Sequence, residues 1–270
     1  MTIYDCFLFN DENHILDIRL NVLDKYVDYF IIIEFGENHQ GKKKGKKINT
    51  NLLKKFNHKI KYFYFDKFNE NLNSWEKESF QRNQIVKGLK NSEENDIIMI
   101  SDIDEIPNLN NINFNKLNND VYAFSQLHSM YKLNLLRNKR WIGTKLCKKK
   151  ILISPQWLRS LKVNKRYSFL RIDKYFSKTY YKKFKIIENG GWHFGWLKNS
   201  NEIVEKINAY AHTEHNVPKF NDKTYIEDCI IKNVSFLDLN DKLILKKKIN
   251  FLPEYILKNK NKFSIWLKKG

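Results

Sequence analysis

Apolar and polar positions divide the first hundred residues into short apolar runs separated by segments with helical spacing. The apolar runs are rich in β-branched and aromatic residues, which is typical of strands buried on both faces. These runs cover residues 3–9, 29–33, 60–65 and 96–101. Helical spacing is found at residues 13–23, near residues 52–56 and over residues 75–89, with Ser74 as the expected N-cap. The alternation predicts β-α-β units and therefore a parallel, doubly wound sheet.

The second half of the chain follows a different pattern. Strand-like segments that we expect to add to the sheet in antiparallel orientation cover residues 121–133 and 145–153, and residues 184–188 form a further predicted strand. Helical spacing returns at residues 200–211 and 223–234. The chain has only nine Gly and four Pro, and no low-complexity linker divides it. We therefore expect one α/β domain over residues 1–240, with a mainly parallel, doubly wound sheet and antiparallel additions.

Residues 241–270 alternate lysine clusters with Leu, Ile, Phe and Trp266. As a helix, this segment would be basic on one side and apolar on the other, which suits the surface of an anionic membrane. The alternative is a terminal helix packed on the domain with its lysines outward. The sequence thus predicts a basic, helical, amphipathic C-terminal extension.

The formal net charge of +19 does not by itself indicate a nucleic-acid-binding protein. Only seven of the 49 basic residues are Arg, whereas nucleic-acid-binding proteins more often use the planar guanidinium for phosphates and guanine edges. We therefore expect no specific nucleic-acid partner.

Three scattered cysteines predict neither a disulfide framework nor a zinc site. The start of the chain has no signal-peptide pattern, and no apolar stretch approaches the roughly 20 residues of a membrane span, so we expect a cytoplasmic protein, at most peripherally attached to membranes.

Candidate chemistry is concentrated at the end of the fourth apolar run, in the sequence Ser-Asp-Ile-Asp-Glu-Ile-Pro at residues 101–107. In open α/β sheets, ligands bind beyond the carboxyl ends of the strands. Asp102 and Asp104 could there hold one Mg²⁺ or Mn²⁺, cations that prefer oxygen ligands and leave positions free for phosphate. Two alternatives are an acidic turn without further function, and a haloacid-dehalogenase-like phosphatase with Asp102 as nucleophile and Asp104 as acid.

Several blocks of the chain together resemble glycosyltransferase family 17, whose best-known members are β-1,4-mannosyl-glycoprotein N-acetylglucosaminyltransferases. The blocks are Asp5-Cys6-Phe7, Ile18-Arg19-Leu20, Val27-Asp28-Tyr29-Phe30 with Glu34, His39-x-Gly41-Lys42, Trp75-x-x-Glu78-x-x-Gln81-Arg82-Asn83, Ser101-Asp102-Ile103-Asp104-Glu105-Ile106-Pro107, Gly190-Gly191-Trp192-His193-Phe194, Lys206-Ile207 and His212-x-Glu214. Two departures are Gly195, where the family pattern has Ser, and Gly36-Glu37-Asn38 before the His-x-Gly-Lys block.

The resemblance implies a GT-A-like fold and inverting transfer of GlcNAc from UDP-GlcNAc to a glycan, glycolipid or glycoprotein acceptor. Such a reaction needs the leaving diphosphate stabilised, which a divalent metal, Mn²⁺ or Mg²⁺, held by the Asp-x-Asp would do electrostatically. It also needs a carboxylate that accepts the proton of the acceptor hydroxyl. A phosphatase and a noncatalytic basic binding module remain as alternatives.

If the chain is a metal-dependent glycosyltransferase, the metal would contact Asp104 directly, while Asp102 would bind the ribose or contact the metal through water. His193 could complete the metal shell, or could be an ordinary hydrogen-bonded core histidine. Glu105 would support this site or simply face solvent.

The donor would be bound by residues from two elements that precede the metal strand. Arg82 and Asn83 could reach the nucleotide from the preceding helix, although Arg82 could instead pair with Glu78, four residues earlier. Glu34, at the end of the second strand, is suited to the uracil or ribose, with a structural hydrogen bond as the alternative.

The catalytic base is expected at Glu214, between His212 and His215, with Glu188 and Asp228 as rivals. Trp192 could stack on an acceptor sugar, although tryptophans more often belong to the core.

Overall fold

Four of the predicted apolar runs form a parallel sheet. In the computed structural model, which describes residues 1–162, 184–209 and 218–269, these strands are β1 (Ile3–Phe9), β2 (Tyr29–Phe35), β3 (Ile60–Phe65) and β4 (Ile97–Asp102). They lie in the order β3-β2-β1-β4 and pair in parallel at every step. The chain moves outward from β1 to β3 and then returns to the other side of β1. The strand order therefore reverses between β1 and β4, where α/β sheets bind their ligands.

Helices cover both faces of this parallel sheet. Helices α1 (Asn13–Leu23) and α2 (Thr50–Lys54) pack on one face, and α4 (Pro155–Ser160) packs on the other, where α3 (Ser74–Asn83) contacts Phe35 of β2 through Phe80. Successive strand residues alternate between the two cores: Phe7 belongs to the first and Cys6 to the second. The prediction of a doubly wound sheet is confirmed for β1 to β4.

The helix predicted over residues 75–89 is shorter than expected and is capped by a different residue. Asn73, not Ser74, is the N-cap, because its side chain accepts a hydrogen bond from the backbone of Glu76 while the Glu76 carboxylate accepts one from Asn73. The α-helix ends at Asn83 and continues as a 3-10 turn over Gln84–Lys87. At Gly88 an added Cβ would lie within 2.8 Å of the Ile31 side chain, so the chain touches β2 closely at this point.

Antiparallel and mixed pairing extends the sheet beyond β4. Strand β8 (Trp141–Lys148) pairs antiparallel with β4, and β6 (Val121–Met130) pairs antiparallel with β8. Further short strands complete the eleven that the described ranges contain: β5 (Glu105–Pro107), β7 (Leu135–Leu136), β9 (Phe184–Ile187), β10 (Gly191–Gly195) and β11 (Ile244–Leu245). The additions at β6 and β8 are thus antiparallel, as predicted, whereas β9 and β10, for which no orientation was predicted, run parallel to β6.

The predicted helices of the second half are present as α5 (Ser200–Ala209) and α6 (Lys223–Lys232). The two helices contribute to a third apolar cluster that includes Ile203, Ile226 and Phe236. Within the described ranges, no helix is long and apolar enough to cross a membrane.

The C-terminal segment does not form the single basic helix that the sequence predicts. It contains β11, the five-residue helix α7 (Glu254–Lys258) and a 3-10 turn over Ser264–Trp266. Its apolar side chains Leu252, Ile256 and Phe263 are buried in the same core as α1. The backbone carbonyl of Trp266 also accepts a hydrogen bond of 2.9 Å from the amide of Leu133. The segment is thus packed into the domain, because burial of these side chains outweighs the periodicity that favoured a free amphipathic helix.

Candidate active site

A cavity of about 420 Å³ opens at the carboxyl ends of the central strands. Its walls include Phe9 and Asn10 at the end of β1, residues 37–39 after β2, and residues 102–104 at the end of β4. Residues from the second half of the chain also line it: His128, Arg137, Trp141, Arg159, His193, Gly195 and Trp196. The cavity therefore lies at the reversal of strand order, where the sequence predicted a ligand site.

The acidic loop after β4 is held from below by Arg19 of α1. The guanidinium donates hydrogen bonds of 2.6 and 2.8 Å to the two carboxylate oxygens of Asp5, and both side chains are fully buried. Its Nη1 also donates to the backbone carbonyls of residues 102, 103 and 105, each at 3.0 Å. The loop's conformation therefore depends on one buried arginine, a role that the sequence analysis missed.

Asp102 is bound by two arginines. Its Oδ1 accepts a hydrogen bond of 3.0 Å from Arg82, and its Oδ2 accepts one of 2.6 Å from Arg159 of α4. Burial would raise the pKa of Asp102, but the two guanidinium groups outweigh it and hold that pKa well below its usual range. Arg82 also donates to Glu78 at 2.9 Å, so the predicted i,i+4 pair is formed as well. Asp102 is ionised at neutral pH, with both oxygens engaged.

Glu105 connects this cluster to the aromatic wall of the cavity. Its buried carboxylate accepts hydrogen bonds from Trp141 Nε1 at 2.6 Å and from Arg159 at 2.9 Å. Lys145 donates to the backbone carbonyls of Arg159 and Leu161, which fixes the end of α4. Glu105 is therefore a buried support of the site and does not face solvent.

Asp104 and His193 lie side by side in the cavity lining, with 3.5 Å between Asp104 Oδ2 and His193 Nε2. The imidazole of His193 stacks on that of His128 at 4.4 Å, and burial together with His193 and Arg137 lowers the pKa of His128 to about 2. In the described part of the chain, Nδ1 of His193 is buried without a hydrogen-bond partner. One carboxylate and one imidazole side by side are donors that Mn²⁺ accepts, although no set of three acidic, His or Cys side chains suited to a metal is found among the described residues.

Trp192, predicted to stack on a sugar, lies in the main core, with 9% of its surface exposed. Its indole nitrogen donates a 2.7 Å hydrogen bond to the carbonyl of Phe251. Neighbouring residues on a strand face opposite ways, so when His193 faces the cavity Trp192 cannot.

Two predicted donor-binding residues also lie outside the cavity lining. The Asn83 side chain accepts a hydrogen bond from the backbone of Gln156 at the start of α4. Glu34 is buried and accepts hydrogen bonds from the Tyr62 hydroxyl and the Lys47 amide. These bonds agree with the alternative prediction for Glu34, a structural hydrogen bond. Both side chains are used to join elements of the fold.

Glu214, the predicted catalytic base, lies outside the described residues, as do His212 and His215. Of its rivals, Glu188 is exposed in the turn after β9, and Asp228 is paired with Lys232 on the exposed side of α6. Neither rival lines the cavity.

The charges that line the cavity balance, unlike those of the whole chain. Five lining residues are basic (Lys44, Arg82, Arg137, Arg159 and Lys206) and five are acidic (Glu12, Glu37, Glu78, Asp102 and Asp104). Because the whole chain has a formal net charge of +19, a lining with equal numbers of acidic and basic residues is enriched in carboxylates. The arrangement is suited to binding a cation and an anion together.

The model of glycosyltransferase family 17 matches residues 1–270, the whole chain. The chain belongs to this family. It is therefore a glycosyltransferase, and the phosphatase and noncatalytic alternatives are set aside. No curated protein matches the chain significantly.

Two features of this glycosyltransferase's sequence are explained by the geometry. His39 lines the cavity and shares a 2.8 Å hydrogen bond with Gln81, which joins the His-x-Gly-Lys and Gln-Arg-Asn blocks. Gly195, where the family pattern has Ser, lies against both cavity histidines: an added Cβ would be 3.1 Å from Nε2 of His128 and 3.5 Å from the His193 ring. The departure thus leaves room beside the imidazole pair.

Proposed function

We propose that this protein is a GT-A-like, metal-dependent transferase that moves GlcNAc from UDP-GlcNAc, with inversion, onto a sugar acceptor. The observation that carries the proposal is the juxtaposition of Asp104 and His193 with the two Asp102-bound arginines in one cavity at the carboxyl ends of the strands. A nucleoside diphosphate needs both a cation site and fixed positive charge close together.

Asp104 and His193 would hold the metal, Mn²⁺ or Mg²⁺. When bound, the cation would supply electrostatic stabilisation of the leaving diphosphate. Around the loop, two guanidinium groups face four carboxylates, those of Glu78, Asp102, Asp104 and Glu105. Other basic residues of the same lining, Arg137 among them, offset this local excess, so the support for a metal is the pairing of Asp104 with His193, whose buried Nδ1 has no hydrogen-bond partner among the described residues.

Asp102 has a different role in this proposal from the one first expected. Both of its oxygens are engaged by Arg82 and Arg159, so it positions these arginines and does not itself contact the metal. Guanidinium groups match the geometry of phosphate oxygens, and the two arginines would bind the donor's diphosphate.

Glu214 remains our sequence-based candidate for the general base, together with its flanking histidines. Glu214→Gln should keep donor affinity and lose transfer, because an amide does not accept the acceptor's proton. Loss of a general base typically costs about 10²–10⁴ in rate. Unchanged turnover would remove Glu214 from the mechanism.

The acceptor is proposed only as a class: a glycan, glycolipid or glycoprotein. A cytoplasmic enzyme with peripheral contact to an anionic membrane would suit a lipid-linked acceptor. Liposomes that carry such an acceptor should then be glycosylated faster than the same acceptor in detergent.

The transfer reaction is tested directly by incubating the full chain with UDP-GlcNAc, Mn²⁺ and a panel of oligosaccharides. We expect a product heavier by one GlcNAc, with a β linkage visible in the anomeric proton coupling, and loss of product on addition of EDTA. An α-linked product would contradict inversion. Full activity in EDTA would contradict the metal requirement. Turnover with a different nucleotide sugar, and none with UDP-GlcNAc, would contradict the donor.

A further inference from the structure

The indole of Trp141 differs in its surroundings from the core tryptophans. It lies at the start of β8 and lines the cavity, with 37% of its surface exposed, whereas Trp157 and Trp192 are buried. An exposed large aromatic ring inside a cavity carries an energetic cost that a ligand can recover.

The Trp141 ring is held in one orientation. Its Nε1 donates a 2.6 Å hydrogen bond to the buried carboxylate of Glu105, and its ring packs against His193 at 4.8 Å between centroids. A side chain that is already fixed loses little conformational entropy when a ligand binds to it.

The strand makes room for this ring at Gly143. A Cβ at Gly143 would lie 3.0 Å from Cδ1 of Trp141 and 2.0 Å from Oε1 of Gln126. Residues two apart on a strand share a face, so a larger residue at 143 would displace the indole. Gly143 thus leaves space for both the Gln126 side chain and the Trp141 indole.

We propose that Trp141 is a sugar-binding platform, on which one face of a hexopyranose ring stacks beside the Asp104–His193 pair. The inference rests on the proposed function. The C–H groups on one face of a pyranose are complementary to the negative face of an aromatic ring. The indole is in ring contact with His193, so a sugar on it lies where transfer would take place.

The platform can serve the donor's sugar or the acceptor's sugar, and two measurements on Trp141→Ala distinguish these. The first compares the affinities of UDP and UDP-GlcNAc by calorimetry. The second records saturation-transfer NMR with methyl mannopyranoside and methyl glucopyranoside in the presence of saturating UDP. Trp141→Phe keeps an aromatic face without the indole N–H, and Trp75→Ala removes an exposed tryptophan of α3 that does not line the cavity.

For a donor platform, Trp141→Ala weakens UDP-GlcNAc binding by about two- to tenfold and leaves UDP binding unchanged. For an acceptor platform, the UDP-GlcNAc affinity is unchanged and the saturation transfer to the methyl pyranosides is lost. In either case Trp141→Phe retains most of the wild-type signal and Trp75→Ala retains all of it.

The platform is overturned if Trp141→Ala keeps both the UDP-GlcNAc affinity and the pyranoside signal of wild type. It is also overturned if Trp141→Ala weakens the binding of UDP by the same factor as the binding of UDP-GlcNAc. A wild-type protein that does not bind UDP-GlcNAc contradicts the proposed donor instead. The pyranoside measurement then decides the platform alone, and absence of a wild-type pyranoside signal would overturn it as well.

Discussion

The Arg19 guanidinium and the Asp5 carboxylate form a fully buried pair directly beneath the acidic loop of the active-site cavity. Arg19 also binds three carbonyl groups of that loop, so one side chain connects the core of the sheet to the site. Asp102 and Asp104 keep their positions because the backbone that carries them is hydrogen-bonded from the inside.

Replacing Arg19 by Ala should therefore destabilise the whole fold. Removing one partner of a buried ion pair leaves an uncompensated charge and costs about 3–5 kcal/mol. Arg19→Lys should recover little, since an ammonium group does not reproduce the bidentate contact with Asp5. Urea unfolding measures both. Arg140→Ala, at an exposed arginine bonded to Asn189, is the control and should stay within about 0.5 kcal/mol of wild type. A wild-type unfolding midpoint for Arg19→Ala would show that the pair does not support the fold.

Lys145 should make stability rise with pH above neutrality. Burial, together with the nearby Arg159 charge, lowers the pKa of Lys145 to about 7 in the folded protein. The unfolded value is about 10.4, so between these two values the unfolded chain binds more protons, and the free energy of unfolding increases by up to about 1.4 kcal/mol per pH unit.

The difference between wild type and Lys145→Met isolates this contribution. Between pH 7 and 9, we expect the free energy of unfolding of wild type to rise relative to that of Lys145→Met. Lys150→Met, at an exposed lysine, should change with pH as wild type does. Parallel pH profiles for wild type and Lys145→Met would mean that the buried amine is not perturbed.

The C-terminal segment should be needed for folding. Phe263 is 2% exposed in the main core, so Phe263→Ala should cost about 3–5 kcal/mol. Ile265, two residues later, is 69% exposed, and Ile265→Ala should have almost no effect on stability.

A chain ending at residue 240 should not fold cooperatively. If it unfolds like wild type and only loses binding to anionic liposomes, the segment is a membrane element and not part of the core.

The elements that the sequence predicted well are those whose pattern is local. The strand at Ile60–Phe65 and the helix at Asn13–Leu23 have the predicted bounds, because apolar runs and helical spacing are set by neighbouring residues. The C-terminal segment was predicted wrongly as one helix, because its structure depends on contacts with α1 far away in the sequence.

The site was predictable only in part for the same reason. Asp102 and Asp104 follow a recognisable strand, so their place at a ligand edge could be inferred. Arg159 contacts Asp102 across 57 positions, and no local pattern distinguishes it from a surface arginine. Trp192 and His193 were both assigned to the site, but they are neighbours on β10 and must face opposite sides. Recognising that strand beforehand would have excluded one of them.

Calorimetry of UDP-GlcNAc binding, with Mn²⁺ and with EDTA, tests the central claim most directly. The proteins to compare are wild type, Asp104→Asn and, as a control on the exposed side of α6, Asp228→Asn. We expect Mn²⁺ to strengthen donor binding by wild type and Asp228→Asn at least about tenfold, a difference of roughly 1.4 kcal/mol. Asp104→Asn should keep the wild-type melting temperature and lose that dependence on Mn²⁺. The account would be contradicted if Mn²⁺ strengthened donor binding by Asp104→Asn as much as by wild type. It would also be contradicted if Mn²⁺ and EDTA gave the same donor affinity for wild type.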